Sequence, residues 1–99
     1  MIIYNVTVKI SNEMHDDWID WMKNVHIPAV LATGKFSHHV FSKVLVEDEE
    51  GTNYSIQYHC QDLETLEDYQ ENLAPKLQEE HTTRYKDHFV AFRTLLEIV

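Results

Sequence analysis

Two segments of the chain alternate between apolar and polar residues with a period of two, and in both the second face is polar. Residues 2 to 10 set Ile2, Tyr4, Val6, Val8 and Ile10 on one side and Ile3, Asn5, Thr7 and Lys9 on the other. Fifty residues on, 52 to 60 set Tyr54, Ile56, Tyr58 and Cys60 against Ser55, Gln57 and His59. Successive side chains of a strand point to opposite faces, so each segment reads as a strand with one apolar and one polar side. Strands of this kind belong to a sheet that helices cover on one face only, the antiparallel arrangement rather than the doubly covered parallel one.

What lies between them is helical. Ser11 and Asn12 offer N-cap oxygens, and Met14, Trp18, Met22 and Val25, with Trp21 beside them, recur at helical spacing, which predicts a helix over 12–26. Pro28 suits the first position of a short helix through Leu31, and Gly34 suits the left-handed residue that closes it. Residues 35–46, rich in Phe and Val, read as a strand that turns through Glu47 to Gly51 into 52–60, making a hairpin. Asp62 caps a second helix with apolar positions at Leu63, Leu66, Tyr69 and Leu73. Pro75 kinks or restarts that helix, after which Leu77, His81 and Tyr85 continue at four-residue spacing, and 88–99 reads as a last strand. Tyr4 to Val8 and Tyr54 to Tyr58 share one pattern, and each is followed by a helix and a proline break. A duplicated βαβ is the plan of the ferredoxin-like fold. The expected class is therefore α+β: a βαββαβ sandwich with a four-stranded antiparallel sheet and helices on one face, formed as a single domain over residues 1–99.

Ninety-nine residues suffice for one modest core and exclude a second domain. Seventeen Asp and Glu against eight Lys and Arg give a formal charge of −9, which works against a nucleic-acid partner. No basic segment leads into a continuous apolar stretch and no apolar run is long enough to span a bilayer, so the expected location is cytoplasmic, without membrane contact. The one cysteine, Cys60, sits in an apolar run and reads as a buried thiol. The polar sheet face also carries large residues such as Phe89 or Phe92, whichever the strand register puts there. Leaving each of them wet costs roughly 1.5–3 kcal/mol, and packing the face against a second copy removes that cost, so a homodimer is expected.

Several segments together resemble a bacterial family, the domain of unknown function numbered 4286. They are Met1 to Val8, Trp18-x-x-Trp21-Met22-x-x-x-His26-Ile27-Pro28, Thr33-Gly34-x-Phe36, Tyr54-Ser55-x-Gln57-Tyr58, Ala74-Pro75, Glu79-Glu80-His81 and Phe89 to Glu97. That family is similar to the dimeric α/β-barrel superfamily, in which two ferredoxin-like chains pack sheet to sheet and each keeps a cleft between sheet and helices. The resemblance implies the same dimer, and a range of activities too broad to assign one by fold. It includes antibiotic-biosynthesis monooxygenases, haem-degrading enzymes and muconolactone isomerases.

Two sets of residues are candidates for chemistry. Asn5, Gln57 and His59 can line a pocket from neighbouring strands, with His59 as the base, since a neutral imidazole has the right acidity near pH 7. A hydrogen-bonded seam between two copies accounts for the same three residues. The second set places a small-molecule site in the cleft between the sheet and the second helical region, with Asn5, His81 and Tyr85 around its polar end. The resemblance to haem-degrading enzymes matches an asparagine on the first strand, Asn5, and a histidine on the last helix, His81. It lacks their tryptophan, because no tryptophan follows Trp21 and the second helix carries Leu63 and Leu66. No cofactor is therefore assigned. His38 and His39 are adjacent and so point to opposite faces, the sole cysteine rules out a thiolate cluster, and no metal site is expected. The residues thus describe a homodimer that binds a small molecule, with a cofactor-independent monooxygenase or isomerase and a structural protein-interaction module as the alternatives.

Overall fold

The computed structural model describes residues 1–99. Strand β1, Ile2–Ser11, leads through a 3₁₀ turn, Asn12–Met14, into helix α1, His15–Trp21. A π-helical turn, Met22–His26, joins α1 to α2, Ile27–Ala32. Strands β2, Phe36–Lys43, and β3, Gly51–Cys60, form the hairpin; α3, Leu63–Asn72, and α4, Ala74–Arg84, precede β4, Phe89–Glu97. The four strands pair antiparallel in the order β2-β3-β1-β4. This is the ferredoxin-like βαββαβ sandwich expected from the alternation, with every helix on one face.

Local chemistry explains the joints. Pro28 has no N–H to offer the carbonyl four residues back and its ring crowds that carbonyl, and the helix widens into the π turn just ahead of it instead of stopping. The first helical region is thus continuous from His15 to Ala32, not the separate helices the proline suggested. Gly34, at φ 77°, closes it as expected. Ser11 and Asn12 do not cap the helix; Ser11 Oγ pairs with His88 Nδ1, and Asn12 Nδ2 donates to the Glu49 carbonyl. Asp62 does cap, accepting from the Thr65 backbone N–H at 2.8 Å, and Pro75 sits in the first turn of α4, restarting the helix after Leu73. Gly51 admits no side chain, since a Cβ there would collide with the Ile10 carbonyl oxygen.

The core lies between the sheet and the helices. Trp18, Tyr85, Ile10, Ile56, Leu66, Val30 and Cys60 are fully buried, and Trp18 is the anchor that the helical stripe predicts. Register settles which phenylalanine faces which way. Phe89 pairs with Ile10 and turns to the helices, whereas Phe92 pairs with Thr7 on the open face. That open face carries Val90, Phe92 and Val40, respectively 67%, 60% and 45% exposed, among Asn5, Thr7, Ser55, Gln57 and His59. No helix is long and apolar enough to cross a membrane.

Candidate functional site

The open face gathers one set of sequence candidates without enclosing them. Asn5 stands directly opposite Gln57, and Ile3 opposite His59, so Asn5, Gln57 and His59 do share a face. Asn5 is already occupied: its Nδ2 donates to Thr7 Oγ1 at 3.1 Å and its Oδ1 accepts from Ser55 Oγ. The His59 ring stacks on His38 with centroids 3.9 Å apart, and partial burial and that neighbour hold its pKa below the usual histidine value.

The other set does not converge. Asn5 lies between Tyr4 and Val6 on β1, and the period of two turns it away from the helices, so the sheet itself separates it from His81. Tyr85 is fully buried, but its hydroxyl donates to Asp17 Oδ2 at 2.8 Å and accepts from Arg84 Nε at 3.1 Å. It ties α4 to α1 and is not part of the cavity wall. Of Asn5, His81 and Tyr85, only His81 opens onto the cleft.

That cleft is a cavity of about 50 Å³ between the sheet and the helical layer. One water needs about 10–15 Å³ of such space, so it has room for a few waters or a small planar group. Tyr4, Val8 and Ile56 belong to its floor and Val30 and Leu77 to its roof, with Tyr58 and Tyr69 in its aromatic wall. Besides its tyrosines, its polar residues are His26, at the end of the π turn, Gln78, His81 and Thr82 on α4, and Arg93 on β4. The π turn matters here, because widened turns of this kind redirect side chains at functional sites.

The two imidazoles have defined states. The Trp18 indole N–H donates to His81 Nε2 at 2.8 Å. An indole nitrogen can only donate, so Nε2 accepts and the neutral ring keeps its proton on Nδ1. His26 lies 5.7 Å from His81 between ring centroids and stacks on Trp21 at 5.1 Å. Its Nδ1 is buried without any hydrogen-bond partner. Burial, then the Arg93 cation, hold His26 down at about 4. Burial, then His26, then Arg93, hold His81 down at about 4 as well. Both rings are therefore neutral at physiological pH. Arg93 donates through Nε to the Tyr4 hydroxyl at 2.9 Å.

His26 and Arg93 were not singled out by the sequence candidates. Arg93 had a legible signal, since the alternation of β4 sets it on the same side as Phe89 and Ala91, although on this edge strand it stays exposed. His26 stood in the segment Trp18-x-x-Trp21-Met22-x-x-x-His26-Ile27-Pro28 that carries the family resemblance, but nothing there marked it as part of a cavity.

Haem does not fit this arrangement. His81 Nε2 is taken by Trp18, Asn5 is on the far side of the sheet, and the cavity is too small for a macrocycle. No three His, Cys, Asp or Glu side chains come together as metal ligands.

Solved structures share the architecture. HapK from Hahella chejuensis superposes with a TM-score of 0.74 at 9% identity, covering 100% of this chain and 93% of that one. A dimeric ferredoxin-like protein from an uncultured marine organism gives 0.73 at 14% identity, with 100% and 95% covered. A variant of SnoaB, a cofactor-independent oxygenase from Streptomyces nogalater, gives 0.68 at 10% identity, with 98% and 92% covered. Likeness at these identities establishes the fold and nothing finer. No curated protein matches the chain in sequence. The family model for the domain of unknown function DUF4286 matches residues 1–99, so the chain belongs to that family.

Proposed function

We propose that the chain works as a homodimer that binds a small organic molecule in the sheet–helix cleft and removes a carbon-bound proton from it without a cofactor. This is the opening step of both an isomerase and a cofactor-independent monooxygenase. The observation that carries the reading is His26 Nδ1, a buried nitrogen with no partner, beside a second neutral imidazole. A buried polar atom left unpaired costs about 1–3 kcal/mol, a cost that a bound ligand relieves.

In this chemistry the substrate C–H bond breaks and the proton passes to His26. The electron pair delocalises onto an adjacent carbonyl oxygen, and the His81 Nδ1–H donates to the enolate that forms. Returning the proton at another carbon completes an isomerisation. Dioxygen adding to the carbanion instead converts a CH₂ to a carbonyl with release of water. A base held at about 4 in the empty cleft is weak, and the enolate's negative charge strengthens it as the proton moves.

The dimer is supported by Phe92, Val90 and Val40 on the open face, large apolar groups that a second copy would cover. A similar solved structure is described as dimeric. Sedimentation equilibrium at micromolar concentration should give twice 11.8 kDa, and a monomer there refutes the dimer. For the chemistry, a panel of carbon acids (1,3-diketones, hydroxylated aromatics and unsaturated lactones) is incubated in D₂O with the protein. Deuterium incorporation or oxygen uptake above the buffer rate for some member is expected. No acceleration for any member refutes the reading.

A further inference from the structure

We propose that the cleft selects a small organic monoanion, a carboxylate or enolate on an apolar body, held by the Arg93 guanidinium and the Tyr4 hydroxyl. The inference rests on the cleft being a small-molecule site and adds the class of molecule.

The chain carries seventeen acidic residues, yet none lines this cavity. Its one permanent charge is Arg93, which makes no ion pair with any carboxylate of the protein and spends only its Nε–H on Tyr4. The N–H groups of its two terminal nitrogens remain, arranged as the fork that fits a carboxylate with two parallel hydrogen bonds. The Tyr4 hydroxyl accepts from Arg93 and has no acceptor of its own in the protein, so its proton is free to donate beside the guanidinium. His81 contributes a third donor through Nδ1. Three donors, one of them a cation, around an acid-free, largely apolar cavity match an anionic oxygen head on an apolar body. Arg93 lines the cavity from the edge strand and is itself exposed, so the cavity's one cation is open to a ligand arriving from solvent, and no acid of a −9 chain is paired with it.

The same geometry couples binding to protonation. The titratable groups around the two imidazoles are Tyr4 on β1, Tyr58 on β3, Tyr69 on α3, Tyr85 just after α4, with its ring 5.4 Å from His81, and Arg93 on β4, besides the imidazoles themselves on the π turn and α4. Arg93 is the only one of these that is charged at pH 7, and its cation disfavours protonation of both rings. An anion seated on Arg93 offsets that effect, so binding should take up protons as the pH falls below 7.

Calorimetry at pH 6 and pH 7 with acetate and its neutral isostere acetamide, small enough for the cavity, tests this on the wild type, Arg93→Gln and Arg93→Lys. Acetate is expected to bind at least tenfold more tightly than acetamide. Arg93→Gln should bring the two affinities together, and Arg93→Lys should keep part of the preference. The heat of acetate binding at pH 6 should vary with the ionisation enthalpy of the buffer, reporting proton uptake. Equal affinities in the wild type, a preference that survives Arg93→Gln, or no binding of either probe at millimolar concentration each overturns the assignment. The C–H bonds of acetate are too weakly acidic to exchange, so this result is independent of turnover. Failure here with deuterium exchange retained removes the anion class alone, and acetate binding without exchange on any carbon acid removes the chemistry alone.

Discussion

Lowering the pH from 7.5 to 4.5 should destabilise the fold through His26 and His81. In the unfolded chain each imidazole takes up its proton near 6.5, and in the folded chain near 4. Between those values the unfolded state binds more protons, so stability is complete above 6.5 and drains away as the pH falls toward 4. At about 1.4 kcal/mol for each unit of displacement, one ring contributes about 3 kcal/mol over the window. The charge of His26 is itself a cause of the depression of His81, so the two do not add in full, and the pair is worth about 3–6 kcal/mol. Against a total stability of roughly 5–15 kcal/mol for such domains, that is a large fraction. Acidification also relieves the repulsion of a −9 chain, an opposing effect that a variant shares with the parent. Urea unfolding at fixed protein concentration, compared between wild type and His26→Phe, isolates the histidine contribution. The phenyl ring keeps the stack on Trp21 and removes the orphaned Nδ1, so His26→Phe should match or exceed the wild type by about 1–3 kcal/mol at pH 7.5. It should then lose about half as much on acidification. A wild-type stability that is flat from pH 6.5 to 4.5, or parallel losses in the two proteins, would refute the reasoning.

Other perturbations read separate parts of the structure. Trp18→Ala empties a fully buried site and should cost about 3–5 kcal/mol in thermal unfolding, with the exposed Glu67→Ala as a near-neutral control. Tyr85→Phe removes the hydroxyl that donates to Asp17 and should cost about 1 kcal/mol, read as a small fall in the urea midpoint. Phe92→Glu puts a charge among the exposed apolar side chains of the open face; sedimentation should then report the monomer with the circular dichroism of the fold retained.

The alternation of β1 and β3 made the sheet legible, because a period of two with a polar second face has few other meanings. The Asp62 cap and the Pro75 restart were legible for equally local reasons. Boundaries around Pro28 were not, since the helix continues to the proline by widening into a π turn, while Trp18, Met22 and Val30 on either side of it stay in the core. The site was half legible. His81 was recognised as a polar residue on an inward stripe, but pairing it with Asn5 ignored that odd positions of β1 face away from the helices. His26 and Arg93 come to the same cavity from elements sixty-seven residues apart, and only the register of β4 on β1 and the π turn bring them there. The alternation of β4 shows which side Arg93 takes, but spacing along the chain carries no trace of its meeting with His26.

The central claim is that chemistry belongs to the cleft and His26, not to the open face and His59. Deuterium incorporation into the best carbon acid of the panel, measured side by side for wild type, His26→Phe and His59→Phe, tests it most directly. The account predicts that His26→Phe falls to the buffer rate while His59→Phe retains the wild-type rate. Loss of exchange in His59→Phe with His26→Phe unaffected would contradict it.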